Sequence, residues 1–335
     1  MERFKLLSVL ALILILLSCS KERPGVVDSL IGTTMGTTYS IKFINSAGID
    51  LDQIHNKIDS ILKEVNQQMS TYISTSEISI FNKFQDTTWY NISYDLANVL
   101  KTSLGICDFS NGALDITVGP LVNLWGFGPE NRPTKIPNKI EITQELKNVG
   151  WENLHVRLTP SSVKKSNPDI YCDLSSTAKG FGVDKVAIFL ESIDIRNYLV
   201  EIGGELRSKG VKKEGNPWKV GISKPDELGG IHEVIELSNM AMATSGDYWN
   251  YFEENGVRFS HTINPKTGRP INHKLASVTV IAKTCFEADG IATALDVMGE
   301  NEGFEFAKQN DLCAYFIHRK DDQFVVNYTE SFKEL

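Results

Sequence analysis

A hydroxyl, a carboxylate and an imidazole lie within one short stretch of this chain: Ser245, Asp247 and His261, in ATSGDYWNYFEENGVRFSHTINPKTG at residues 243–268. Asn255-Gly256 is a strong signal for a type I′ turn, whose two central residues need positive φ. The flanking runs, 248–252 and 257–260, are aromatic-rich or alternating and are expected to be strands, which would bring Ser245-Gly246-Asp247 near His261. Two chemistries fit such a cluster: hydrolysis with a serine nucleophile, or proton removal by His261 from a group on a bound ligand. A histidine beside a turn also serves commonly as a hydrogen-bonded structural residue. Asn264-Pro265-Lys266-Thr267-Gly268 follows, with backbone fixed at Pro and freed at Gly, as suits a loop that holds a ligand.

Three further constellations carry oxygen or backbone chemistry. Asp289 and Thr293 sit four apart in ADGIATAL. On a helix that spacing projects a carboxylate and a hydroxyl from one face, a hard-oxygen pair suited to Mg2+ and poorly matched to zinc. In IYCDLSSTAKGFGVD, residues 170–184, a short apolar strand passes through Asp173 into a helix expected to start at Ser175 or Ser176. Free N–H groups there favour anionic oxygens, and Lys179 lies one turn inside; a plain helix cap would use the same residue types. Gly180 and Gly182 fall inside this helical pattern, so they do not form a dinucleotide-binding fingerprint. GALDITVGPLVNLWGFG, residues 112–128, sets Asp115 in a small-residue loop beside aromatics, fitting either a planar ligand or a buried corner.

These residues need elements to hold them. Residues 50–69 and 93–109 carry apolar side chains at helical spacing, and 175–193, 285–298 and 301–309 are also expected to be helices. Residues 36–44 alternate Tyr39, Ile41 and Phe43 as a strand, and 197–202, 218–222, 234–237, 277–282 and 314–318 are further short strands. No repeat, low-complexity tract or end-to-end α/β alternation appears. The expected architecture is α+β, with helices on mainly antiparallel sheet. Residues 123–138, rich in Gly and Pro, form the longest irregular stretch.

The chain of 335 residues begins MERFKLLSVLALILILLSCS. Arg3 and Lys5 precede an apolar run, 6–17, shorter than the roughly 20 residues a membrane span needs, so an export signal is expected. Leu16-Leu17-Ser18-Cys19 is similar to a bacterial lipobox, with residues 1–18 removed and Cys19 lipidated. Cleavage without lipid remains open at this point. Residues 19–28, including the polar 21–25, would form a tether to one domain spanning 29–335. A formal charge of −8 and a pI near 5.4 exclude a nucleic-acid partner on electrostatic grounds. Lys164-Lys165 and Lys212-Lys213 are isolated pairs expected in solvated loops. Cys107, Cys172, Cys285 and Cys313 show no CxxC and no zinc spacing; an exported setting would permit disulfides, while three of the four lie in apolar patterns that suit buried free thiols equally well.

Taken in order, these segments resemble the FAD:protein FMN transferases, also called alternative pyrimidine biosynthesis lipoproteins. The matching pieces are MGTTYSI at Met35, MSTY ending at Tyr72, GALDITVGPLVNLWGFGP, DLSSTAKGFGVD, EIGGELRSKG, ATSGDY, HTINPKTGRP and ADGIATAL. The resemblance implies two intimately packed lobes with a flavin cleft between them. It implies FAD contacts at Met35, Tyr72, Ala113, Leu114, Asp115, Asp173, Lys179 and Ile263, some through backbone. Mg2+ would lie at Ser176, Asp289 and Thr293, with Ser176 acting through its carbonyl, and His261 would be the base. Asp247 would orient His261, a role inferred from the hairpin.

The implied reaction moves FMN from FAD to a Ser or Thr hydroxyl of an acceptor flavoprotein, such as a membrane redox-complex subunit, and releases AMP. The setting would be the periplasmic face of a bacterial membrane, held by lipid on Cys19. Two rivals share the residues: an FAD pyrophosphatase using water, and a non-catalytic flavin-binding lipoprotein. Self-flavinylation would need Asp-x-x-Ser/Thr-Gly-Ala-Ser/Thr, and residues 108–114 lack both hydroxyls at the needed positions.

Overall fold

A computed structural model of the protein describes residues 26–129, 136–225, 229–246, 251–254, 257–321 and 323–335. Strands β1 (Val27–Thr34) and β2 (Thr37–Ile44) form a hairpin, followed by helices α1 (Leu51–Met69), α2 (Glu77–Asn82), α3 (Tyr94–Phe109), α4 (Gly119–Leu124) and α5 (Lys139–Glu145). Short strand β3 (Tyr90–Asn91) lies between α2 and α3, and β4 (Leu154–Leu158), β5 (Ser161–Lys165) and α6 (Ala178–Ser192) follow α5. The later chain holds β6 (Tyr198–Ile202), β7 (Glu205–Lys209), β8 (Trp218–Ser223), β9 (Ile231–Leu237) and β10 (Ala241–Gly246). After these come β11 (Tyr251–Glu254), β12 (Val257–Ser260), β13 (Ile263–Asn264), β14 (Arg269–Pro270) and β15 (Leu275–Ala282), then α7 (Cys285–Gln309), β16 (Cys313–Lys320), β17 (Gln323–Tyr328) and α8 (Glu330–Lys333).

The largest sheet has eight strands in the order β1-β2-β6-β7-β10-β15-β16-β17, antiparallel at each pairing. Alternation along β2 points Tyr39, Ile41 and Phe43 to one face, where they meet Ile54, Ile58 and Leu62 of α1 and Val183, Val186 and Leu190 of α6. The hairpin β8–β9 covers the opposite face through Val220, Ile222 and Leu237, packed on Leu206, Met242 and Ile317. With both faces covered, β15 is buried along nearly its whole length, Ser277 and Thr279 included. A second lobe joins the sheet β3-β5-β4 to α2 and α3 around Phe81, Leu96, Leu100 and Val163. The chain leaves the large sheet between β2 and β6 to build this lobe, and again between β10 and β15. Both excursions return to the cleft between the lobes.

Helix caps follow the sequence. Asp50 and Ser93 accept from Gln53 N and Leu96 N at the starts of α1 and α3. Expected helix 175–193 begins later, at Ala178, because Asp173 Oδ1 accepts from the N–H and hydroxyl of Ser175 and holds residues 173–176 as a turn. Helix α7 carries both expected helices, 285–298 and 301–309, divided by non-helical backbone at Gly299 (φ 81°). β1 starts at Val27, so the folded domain begins two residues inside the segment expected as tether. The Lys164-Lys165 expectation is corrected as well: Lys165 is fully buried on β5, its ammonium donating to the Asn82 and Ile170 carbonyls. The four cysteines of the described chain are free thiols.

Gly180 and Gly182 fall inside α6 and serve close packing. A Cβ on Gly180 would fall onto the Cys285 backbone carbonyl and against Asp289 Cβ of α7, and one on Gly182 would press Met35 Cε. Since the Cys285 carbonyl is backbone and cannot rotate away, Gly180→Ala is expected to cost about 1–3 kcal/mol or more through forced separation of the helices. Urea unfolding of the variant checks this, and an unchanged midpoint would contradict it.

Candidate functional site

Two carboxylates tie α6 and α7 together in opposite senses. Asp184, from α6, accepts from Cys285 N (3.1 Å) and Phe286 N (2.9 Å), the first N–H groups of α7. Arg207 of β7 adds a 2.8 Å ion pair to Asp184 Oδ1, the oxygen that accepts from Cys285 N. In return Asp289, from α7, accepts from Gly180 N at 2.9 Å. Helix α6 needs this, because its N-cap, Thr177, makes no side-chain cap of its own. The bond occupies Oδ2 of Asp289 and fixes a carboxylate that is 6 % exposed at the cleft wall. Thr293, one turn on, lines the same cleft, as does Ser176 before α6.

Lys179 stands in the first turn of α6 and donates to Glu205 at the start of β7. Burial and the negative charge of Glu205 push the Asp289 carboxyl up from 3.8 to about 8, with Lys179 opposing. Burial alone would lower the Lys179 ammonium, but the carboxylates of Glu205 and Asp289 more than offset it and hold it charged. Among the described residues no three His, Cys, Asp or Glu side chains gather as a metal cage. The donors present are a buried carboxylate, a hydroxyl and backbone carbonyls, which fit Mg2+, an ion that keeps several waters and accepts ligand phosphates.

The remaining expected flavin contacts line this same cleft, whose volume is about 2100 Å³. Met35 sits at the β1–β2 turn with φ 50°. Tyr72 is 65 % exposed, and its hydroxyl donates to the Phe127 carbonyl at 2.8 Å, bridging the cleft mouth. Ala113 and Leu114 are buried in the loop after α3. The Asp115 carboxylate accepts from Thr117 N and Oγ1 and from Trp151 N, so what this segment offers a ligand is chiefly backbone. The Asp173 carboxylate is likewise engaged, by Ser175. Ile263 is buried on β13.

His261 lines the same cleft, its ring 6.4 Å from that of Phe127 in a T-shaped contact. The β11–β12 pairing runs from Tyr251↔Ser260 to Glu254↔Val257, as the hairpin signal requires. Asp247 and the Asn255-Gly256 turn itself lie outside the described residues. The Ser245 hydroxyl donates to the fully buried Asp296 at 3.0 Å, and Thr262 Oγ1 donates to the same oxygen at 3.4 Å. Asp296 follows Asp289 by seven positions, two helical turns along one stripe of α7, so the same stripe that carries the oxygen pair also grips the His261 loop.

Sequence inspection assigned no role to Glu205, Asp184 or Asp296. Glu205 and Asp184 lie inside quoted motifs, and a positional signal existed for Glu205 in the Gly203-Gly204 turn before it. A signal for Asp296 existed in its seven-residue spacing from Asp289.

A carboxyl whose pKa is raised in the folded chain binds its proton more tightly there than when unfolded. Its contribution to stability is therefore present at low pH and falls as pH climbs from about 4 toward about 8. Asp289→Asn, which keeps an acceptor for Gly180 N and cannot ionise, is expected to gain stability over the parent across that window, both metal-free. Thermal unfolding between pH 4 and pH 9 measures it. A pH-independent difference would contradict the assignment.

The sequence pattern of the ApbE family matches residues 35–317. The FAD:protein FMN transferase of Haemophilus influenzae is 48% identical over 332 residues, covering 97% of this chain and 95% of its own. That of Vibrio cholerae is 46% identical over 329 residues, covering 98% and 97%. Among solved structures, the flavin transferase ApbE from Vibrio cholerae superposes with a TM-score of 0.86 at 45% identity, covering 93% of this chain and 99% of that one. The apo flavinyl transferase ApbE of Pseudomonas stutzeri gives 0.86 at 36% identity, covering 93% and 97%. With the motifs in order on one cleft and the fold shared nearly end to end, the chain belongs to the ApbE family.

Proposed function

We propose that this protein transfers FMN from FAD to a Ser or Thr hydroxyl of another exported or membrane protein, releasing AMP. The observation that carries the proposal is that Lys179 of α6, Asp289 and Thr293 of α7, and His261 all line a single cleft. Relatives that match over nearly the whole chain are named FAD:protein FMN transferases.

The chain's own residues account for each step. Tyr72, Phe127 and the 113–115 backbone present a planar, half-apolar surface for the isoalloxazine. Lys179, in the first turn of α6, meets the pyrophosphate. Asp289, Thr293 and the Ser176 carbonyl would hold Mg2+, which when bound neutralises charge on the phosphates. His261 takes the proton of the acceptor hydroxyl as that oxygen bonds the FMN phosphorus. The bond from that phosphorus to the bridging oxygen breaks, and the oxygen leaves with AMP. Positioning and charge neutralisation supply most of the rate in such phosphoryl transfers.

Lipidation at Cys19 and anchoring at the periplasmic face belong to the same proposal and rest on the N-terminal sequence. No helix of the described chain is long and apolar enough to cross a membrane. A Cys19→Ala variant is expected to lose labelling by a fatty-acid probe and appear in the wash of isolated membranes; unchanged labelling would contradict the anchor.

Purified protein incubated with FAD, Mg2+ and a candidate acceptor is expected to yield AMP together with a covalently fluorescent acceptor band. His261→Ala should slow this by about 10²–10⁴-fold while still binding FAD. Free FMN at one rate with or without acceptor, and no fluorescent band, would instead identify a pyrophosphatase. Tight FAD binding without turnover would identify a flavin carrier.

A further inference from the structure

Glu205 takes no part in the steps above, yet few carboxylates in the molecule are so enclosed. It is 2 % exposed at the first position of β7, directly after Gly203 and Gly204, whose φ values of 60° and 102° bend the β6–β7 hairpin at the cleft wall. Its Oε1 accepts from Lys179 Nζ, while its Oε2 is buried with no hydrogen-bond partner among the described residues. Leaving one lone carboxylate oxygen unsatisfied costs free energy that an ordinary core position would not retain.

We propose that Glu205 is the positioning residue for Lys179, fixing its ammonium where the FAD pyrophosphate binds and drawing it away from the Asp289 carboxylate. This rests on the reading of Lys179 as an FAD contact. Three observations support it. A lysine side chain carries about 2 kcal/mol of rotamer entropy, and this one borders a wide cleft with a third of its side chain exposed, so an untethered ammonium would sample many positions. Asp289 is the other carboxylate close enough to act on Lys179, so the ammonium has two competing partners. If Lys179 closed on Asp289 it would occupy the oxygen the Mg2+ site needs, whereas the bond to Glu205 leaves both the cation and the phosphates their partners. Glu205 itself is held by the antiparallel pairing of β7 with β6, Ile202 opposite Glu205, and so provides a rigid anchor.

A purely structural ion pair, tying β7 to α6, would behave differently. Its removal would lower stability without reference to FAD.

The test is a double-mutant cycle read by flavin fluorescence on addition of FAD without metal, with the KM for FAD and kcat measured separately under turnover with Mg2+. Lys179→Met is expected to weaken FAD binding about tenfold or more, and Glu205→Gln about three- to tenfold, with a rise in KM. In the Lys179→Met background, Glu205→Gln should add no further loss. Glu205→Asp, which keeps the charge but shortens its reach, should fall between parent and Glu205→Gln; it replaces Glu205→Gln in the cycle if that variant does not fold. FAD affinity unchanged in the Glu205 variant, or losses that simply add, would overturn the positioning role. Parent-like FAD affinity in Lys179→Met would overturn the reading of Lys179 itself, and the inference with it.

Discussion

The site depends on a reciprocal clasp between α6 and α7. Each helix begins with N–H groups that its own sequence leaves partly unmet, and each receives a carboxylate from the other: Asp184 at the start of α7, Asp289 at the start of α6. The glycine at 180 is what allows this, since any side chain there would push against the Cys285 carbonyl. Because Asp289 spends one oxygen on the clasp, its position is set before any ligand arrives. Preorganisation of this kind is what phosphoryl transfer draws on, where little covalent chemistry falls to the protein.

Around that clasp the charges form a graded set. Arg207 pairs with Asp184, Lys179 pairs with Glu205 at the cleft, and Asp289 has a raised pKa and, among the described residues, no ion-pair contact of its own. A buried acid in that state favours either a proton or a cation. The stripe of α7 continues to Asp296, whose bonds to Ser245 and Thr262 carry the same helix's position to the loop of His261. One helix thus ties Asp289 to the loop of His261, although α6 and that loop lie on different excursions from the large sheet.

What could be read from sequence divides along a physical line. Helices 50–69 and 93–109 and the strand 36–44 were legible because amphipathic spacing and caps are local. Asp289 and Thr293 were legible as a pair because four residues on a helix fix a geometry. The clasp was not, because Gly180 and Asp289 are 109 residues apart and nothing local says which carboxylate meets which N–H. Lys165 was misjudged for a related reason: of two adjacent lysines in a strand only one faces solvent, and β-alternation assigns the buried place to the second only once the register with β4 is known. Glu205 lay in a recognised motif, yet its importance depends on a lysine 26 positions away.

The account stands or falls on whether the clasp carries both the cation and the flavin pyrophosphate. A crystal structure of the protein soaked with FAD and Mn2+ in place of Mg2+, with the metal located by anomalous scattering, addresses this directly. The account predicts one anomalous peak coordinated by Asp289, Thr293 and the Ser176 carbonyl, with the pyrophosphate against Lys179 and His261 facing the phosphorus of the FMN half. A peak away from α7, or a flavin bound with its pyrophosphate turned from Lys179, would contradict it.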